Sequence, residues 1–215
     1  LGPVGFALGR NQQYICAMIK LYSRPRTRGS RPRWILEEIG TPYEVITVES
    51  GAATAEYKKI QPLGGVPAMQ DGDLTMFESS AICLHLAEKF PEKKLIPPPG
   101  SNDRAHCYQW IAFVLTTVET QAFTYFLHTI RYEEARRNPA LAAEAKEKMK
   151  TALDVLTAAL EGKDFLVGDN LTVADVIAAS VVSWAVAMKM TDGNPVLNGY
   201  LAKLKERPAF KRSIA

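Results

Sequence analysis

The chain has 215 residues, of which 47% are apolar and 23% charged, the balance of a soluble globular fold long enough for one large domain or two modest ones. Its formal net charge of +3 is too small to argue for a nucleic-acid or membrane-surface binder. Cys16, Cys83 and Cys107 lie far apart with no C-x-x-C pair. That spacing argues against a disulfide-stapled secreted module, a zinc ribbon or a dithiol oxidoreductase, and for a reducing cytoplasm.

Residues 1–17 lack the basic start and long apolar middle of a signal peptide and show no clean period. They read as an extension, expected to be poorly ordered, ahead of a domain that starts at Met18. Residues 19–22 (IKLY) form a short β run, and 24–33 form a loop crowded with Arg and Pro. Trp34, Ile35, Leu36 and Ile39 then follow a helical spacing that stops at Gly40. Residues 43–48 (YEVITV) read as a second strand and 55–60 as a short helix. Two further strands, 66–70 and 74–77, are joined by the hairpin turn Asp71-Gly72-Asp73. An amphipathic helix over 79–90 is closed by Pro91. This order predicts an α/β domain over 18–95 with a mixed sheet, its β-α-β half parallel and its final hairpin antiparallel.

The run Ile96-Pro97-Pro98-Pro99-Gly100 places a linker over 96–102. Everything after it, 103–215, is helical by pattern. One long helix is predicted over 103–129 and another over 141–160. A nearly all-apolar stretch, 172–190, should be the central buried helix, and 195–207 and the last residues supply one or two more. In GDNLTVADV, Thr172 and Asp175 have capping-box spacing and Leu171 can staple onto Val176, so the motif reads as structural rather than as a metal or acid-base site.

Two segments carry candidate chemistry. In Gly65-Val66-Pro67-Ala68 a proline stands where a strand should begin and has no N–H for the ladder. Val66 is then free to offer its own N–H and C=O to a ligand, the more so if the Val66–Pro67 bond is cis; a plain turn proline is the alternative. Glu78-Ser79-Ser80 opens a helix whose free N–H groups suit a carboxylate, with Glu78 available to an ammonium; a plain N-cap is the alternative. Together, an edge strand offering Val66 and this helix start describe a site for a small, extended, peptide-like ligand with one free amino-acid end.

The order of elements, the segment QPLGGVPAMQDGDLTMFESSAI and the helical half with GDNLTVADV are similar to the soluble glutathione transferase family, from Met18 to nearly the last residue. The resemblance implies a thioredoxin-like α/β domain followed by an all-α domain. It implies glutathione as co-substrate with no metal, and a cytoplasmic, detoxifying homodimer with no nucleic-acid or membrane partner. It assigns Val66 and Pro67 to the cysteinyl part of glutathione, and Glu78 and Ser79 to its γ-glutamyl end.

The Arg-rich loop then acquires a meaning, because relatives place the residue that activates the thiol there. A common bacterial pattern, Ser-Arg-Ala leading into R-x-L-W-x-L-E-E, matches Thr27-Arg28-Gly29 and RPRWILEE, so threonine stands in the serine's place. Thr27, assisted by Arg28 or the loop amides, is the candidate donor to the thiolate, with Ser30 and Tyr22 as alternatives. Arg28 occupies the place of the cysteine in cysteine-type relatives, which excludes mixed-disulfide chemistry there. Arg24, Arg26, Arg31 and Arg33 either steer the anionic tripeptide or form a solvated loop. The cation that many relatives place for the glycine carboxylate is replaced by Gly65, leaving Lys58, Lys59 or a loop arginine for that task. An apolar second-substrate pocket is expected between the domains, with Tyr108, Ile111, Phe113 and Val114 as wall candidates, ordinary helix core being the alternative. The leading expectation is conjugation of glutathione to an apolar electrophile. The alternatives are a non-catalytic glutathione or apolar-ligand binder on the same fold, or a glutathione-dependent isomerase, etherase or dehalogenase.

Overall fold

Alternation along the first strand sets the architecture. β1 (Ile19–Ser23) buries Ile19, Leu21 and Ser23 on one face and turns Lys20 and Tyr22 to the other. α1 (Ser30–Ile39) covers the first face with Trp34, Ile35, Leu36 and Ile39 and ends at Gly40, whose φ of +75° forms a left-handed cap bonded to the Leu36 carbonyl. β2 (Tyr43–Thr47) pairs parallel with β1. α2 (Ala55–Ile60) is capped by the Thr54 hydroxyl. β3 (Ala68–Asp71) runs antiparallel to β1, and β4 (Leu74–Phe77) antiparallel to β3, giving the order β2-β1-β3-β4. α3 (Ser79–Lys89) packs beside α1. These coordinates are a computed structural model that describes residues 18–51 and 53–214; the predicted extension over 1–17, with Cys16, lies outside the described residues.

The mixed thioredoxin-like sheet is the predicted one, with a correction. β3 begins at Ala68 rather than Val66, because Pro67 cannot donate to the ladder, and it is an inner strand rather than an edge. Val66 projects past the end of that inner strand.

The second half is helical. α4 (Asn102–Phe113) is capped by Ser101, whose Oγ accepts from the Arg104 N–H. The single helix expected over 103–129 contains two π-helical turns, Val114–Val118 and Leu127–Arg131, on either side of α5 (Glu119–Phe126). Thr116, Thr120, Thr124 and Thr129 hydroxyls each bond a carbonyl four or five residues back, competition that loosens the regular ladder. The first π turn shifts the helix phase, so that Val118, Glu119 and Ala122 follow Val114 into the core.

α6 (Pro139–Leu160) leads to α7 (Val173–Ala187), the buried centre of the helical half, which touches α1 and α3 of the first half as well as α4, α5 and α8 (Pro195–Lys205). The Thr172–Asp175 capping box starts α7 as the sequence predicts. Asp175 also accepts from the Leu166 N–H at 2.8 Å and the Tyr200 hydroxyl at 3.0 Å. α9 (Pro208–Ser213) folds back onto α1: Phe210 meets Trp34 edge-on at 4.9 Å, Arg207 pairs with Glu38, and Arg212 with Glu37.

Candidate functional site

The loop before β3 is braced from within. Tyr57 Oη donates to the Gly65 carbonyl at 2.6 Å, Gln61 Oε1 accepts from the Gly65 N–H at 3.2 Å, and the Gly64 N–H reaches the Gln61 carbonyl at 2.8 Å. Gly64 has φ +68°, and a Cβ there would lie 2.9 Å from Ala53 Cβ, so only glycine fits. The Val66–Pro67 peptide is cis. Among the described residues the Val66 N–H and C=O take part in no hydrogen bond, leaving one donor and one acceptor for an extended ligand. Ala68 pairs with Phe77, so the next positions outward are Pro67 and Glu78. The register thereby brings Val66 and Pro67 beside Glu78 and Ser79.

Glu78 has φ 73° and ψ 112°, a conformation costly for any side chain larger than glycine. It is exposed, and its carboxylate makes no hydrogen bond among the described residues. The cap reading of Ser79 needs correction: the N-cap position falls on Glu78, which caps nothing, and Ser79 is the first helical residue. Ser79 is only 5% exposed, and its Oγ accepts from Arg31 Nη1 at 3.2 Å. A hydroxyl that accepts from a guanidinium keeps its own proton for a second acceptor.

Arg31 is a buried clamp rather than a steering residue of a solvated loop. Its Nη2 pairs with Glu119 at 2.9 Å and its Nε donates to Ser180 Oγ at 2.6 Å, so one guanidinium ties α1 to α3, α5 and α7. Burial lowers its pKa and the Glu119 carboxylate works against that. Behind it, burial pushes the Cys83 thiol up to about 12, which makes it unreactive.

The loop into α1 holds the candidate activating groups. Thr27 Oγ1 donates to the Arg24 carbonyl at 2.6 Å and accepts from the Gly29 N–H at 3.2 Å. Ser30 Oγ donates to the Thr27 carbonyl, which also takes the Ser30 N–H, while the Arg31 N–H goes to the Arg28 carbonyl. Gly29 is required by proximity: a Cβ there would stand 2.1 Å from Ser23 Oγ. Tyr22 sits on the sheet face opposite α1, half-buried against Tyr57 at 5.5 Å, and donates to Gln70 at 2.7 Å. Burial, then Glu44, raises its pKa, so it is a poor acid. Arg28 reaches away from the loop to Glu119 at 2.6 Å, with its guanidinium 5.4 Å from the centre of the Phe123 ring.

At the predicted glycine end, Lys59 is paired with Glu56. The Lys58 side chain lies beside Gly64 and makes no ion pair among the described residues. The predicted second-pocket wall is corrected in large part. Ile111 and Val114 are buried in the core cluster, because their face of the helix meets α7. Phe113 packs edge-on against Trp110, and Tyr108 is exposed and bonded by Arg104. A cavity of about 880 Å³ opens beside the linker, lined by Pro97, Pro98, Pro99, Arg104 and Val167, and none of the predicted site residues borders it. No cluster of His, Cys, Asp or Glu among the described residues is arranged to hold a metal ion.

Sequence reasoning missed Gln61 and Tyr57 as braces of the Val66 loop, and Glu119 and Phe123 as partners of the loop arginines. One signal was present: Arg31 stands three and four residues before Trp34 and Ile35, on the helix face that is buried.

Comparison with known proteins agrees with this layout. Residues 17–88 match the family model of the glutathione S-transferase N-terminal domain, and residues 115–208 that of the C-terminal domain. Glutathione S-transferase 1 of Zea mays is 32% identical over 195 residues, covering 84% of this chain and 87% of that protein. The crystal structure of a glutathione transferase from Methylococcus capsulatus superposes with a TM-score of 0.82 at 27% identity, covering 92% of this chain and 97% of that one. A glutathione S-transferase-I bound with lactoylglutathione superposes with a TM-score of 0.78 at 28% identity, covering 92% of this chain and 99% of that one.

Proposed function

The chain belongs to the glutathione S-transferase family, and from that premise we propose that it conjugates glutathione to an apolar electrophilic carbon. The observation that carries this reading is the juxtaposition of Val66, with an uncommitted backbone donor and acceptor, and Glu78, held at φ 73° with a free carboxylate beside Ser79. Glutathione's cysteinyl amide pairs with Val66. Its γ-glutamyl carboxylate takes the Ser79 proton and the first N–H groups of α3, and its ammonium faces Glu78. Arg31 acts as a positioning residue, holding the Ser79 lone pair so that the proton faces the ligand. Lys58 is the cation for the glycine carboxylate.

The sulfur lies toward the start of α1, flanked by Thr27 and Arg28. Thr27 rotates its hydroxyl from the Arg24 carbonyl to the thiolate while still accepting from the Gly29 N–H, an exchange of one hydrogen bond for a charge-assisted one. The thiolate lone pair forms the new S–C bond. The leaving group departs with its bonding electrons, or, in an addition, the adjacent carbon takes up a proton. The protein works as a cytoplasmic homodimer, the assembly that the sequence resemblance implies; a monomer in sedimentation at micromolar concentration would contradict it.

A second reading, glutathione binding without turnover, draws on one observation: Thr27, Ser30 and Tyr22 all donate their hydroxyl protons to protein acceptors. A transfer assay with glutathione and 1-chloro-2,4-dinitrobenzene separates the two. Product formation above the uncatalysed rate supports the transferase. Calorimetric glutathione binding without product, across a panel of aryl halides and enones, supports the binder.

A further inference from the structure

Glu119 is a buried carboxylate shared by two guanidinium groups, Arg28 at 2.6 Å and Arg31 at 2.9 Å, so this cluster carries one positive charge in excess. The two arginines differ in access, with side chains 45% and 3% exposed. Arg31 is consumed inside the fold, and the excess charge is therefore presented to solvent through Arg28. The Arg28 guanidinium lies over the Phe123 ring, which is itself 41% exposed. Trp184 of α7 stands behind Phe123 at 6.3 Å and packs on Phe126 at 5.4 Å. The result is an aromatic shelf with a cation on its rim, bounded on one side by the loop into α1 and on the other by α5 and α7. Arg24 and Arg26 occupy the same loop, and neither pairs with a carboxylate among the described residues. The sequence crowds arginine here, and Glu119, the acid paired with Arg28 and Arg31, is already shared between them.

We propose that the shelf of Arg28, Phe123 and Trp184 is the acceptor subsite and that it selects flat aromatic electrophiles carrying a negative charge, such as aryl halides bearing a carboxylate or sulfonate. The proposal rests on the transferase reading for its chemistry. The ring stacks on Phe123, and the anionic substituent replaces water on the outer N–H groups of Arg28, whose positive charge attracts it. The thiolate then forms the S–C bond at the carbon bearing the halogen, and halide leaves with its electron pair. The carboxylate or sulfonate keeps its charge throughout. The shelf replaces the wall anticipated from Ile111 and Val114, which the core absorbs.

Binding of unreactive probes tests the shelf independently of turnover. Naphthalene-1-sulfonate and the neutral, equally shaped naphthalene-1-sulfonamide are titrated at pH 7 into the protein saturated with S-methylglutathione, which keeps the tripeptide site filled. A wild-type preference for the sulfonate of about tenfold is expected, the scale of one charge-assisted hydrogen bond. Arg28→Gln removes the preference, Arg28→Lys keeps most of it, and Phe123→Ala weakens both probes alike. Equal affinity of the wild type for the two probes, or a preference that survives Arg28→Gln, overturns the proposal; so does Arg28→Lys behaving like Arg28→Gln, because shape rather than charge would then be selecting. Titration of S-methylglutathione alone reports on the tripeptide site, so failure of that reading is seen separately.

Discussion

Among the described residues Asp175 and Glu119 are both buried, and the protein satisfies their carboxylates by opposite means. Asp175 is fully buried and forms no ion pair among the described residues; it accepts from the Leu166 and Thr172 N–H groups and from the Thr172 and Tyr200 hydroxyls. Burial raises its pKa against the pull of those hydrogen bonds. Glu119, 5% exposed, is held by two guanidinium groups. Neutral donors from two neighbouring turns and a helix make Asp175 a local fastener. Charged donors from α1 and the loop before it make Glu119 a connection between the two halves, and the same Arg31 holds the serine offered to the ligand. A buried acid met only by dipoles is thus a sign of architecture here, and one met by arginines leads to the site.

Breaking each carboxylate should separate the two roles. Asp175→Ala strands two buried N–H donors at about 1–3 kcal/mol each, so urea denaturation should register a loss of about 3 kcal/mol or more. Glutathione affinity of the folded fraction should not change. Glu119→Gln leaves the buried Arg31 charge without a counter-charge and should cost about 3 kcal/mol. It should also weaken glutathione binding by loosening the grip on Ser79. The double variant Arg31→Met with Glu119→Leu sharpens the contrast, because it should recover stability but not affinity. If Glu119→Gln loses stability and keeps full affinity, Glu119 is a fastener of the same kind as Asp175.

Smaller effects follow at the site itself. Ser79→Ala removes a charge-assisted bond of about 1.5–3 kcal/mol to the ligand, about a tenfold to hundredfold loss in calorimetric affinity. Stability should also fall, by about 1–3 kcal/mol, not because a cap is lost but because the buried Arg31 Nη1 loses its acceptor. Thr27→Val keeps the shape and deletes the donor. The bound thiol's pKa should rise by about one unit, so the pH–rate profile should shift to alkali and activity at neutral pH fall several-fold.

The smallest effect lies farthest from the site. Burial raises the Glu37 pKa, but hydrogen bonds from Tyr43 and Arg212 outweigh it and leave it lowered. The clasp of α9 on α1 is therefore at full strength above the ordinary glutamate value of about 4.3 and is lost as pH falls through the lowered folded value. Trp34 fluorescence, which reports the contact with Phe210, should change over that acid window in the wild type and be flat there in Glu37→Gln.

What could be read beforehand follows the range of the forces involved. β4 and α2 agree with the sequence to the residue, because the Asp71-Gly72-Asp73 turn and the Thr54 cap act within a few positions. The start of α7 is legible for the same reason, its cap and partner being three residues apart. The π turns are not, since α and π segments share one apolar pattern over so short a run. The pairing of Arg31 with Glu119 spans 88 positions, and no local rule links them. Ile111 and Val114 failed as pocket residues because periodicity gives a helix its apolar face without saying which neighbour covers it. Val66, Glu78 and Ser79 are brought together because a hairpin register, which is local, aligns them.

The central claim is that the amino-acid end of glutathione docks against Glu78 and the start of α3. Isothermal titration of glutathione into the wild type and Glu78→Ala, with thermal unfolding of both, tests it most directly. The account predicts at least about a tenfold loss of affinity, the scale of one charge-assisted hydrogen bond, with an unchanged Tm, since the Glu78 side chain makes no hydrogen bond among the described residues and alanine meets the same backbone strain. Equal affinity in the two proteins, with both fully folded, would contradict it.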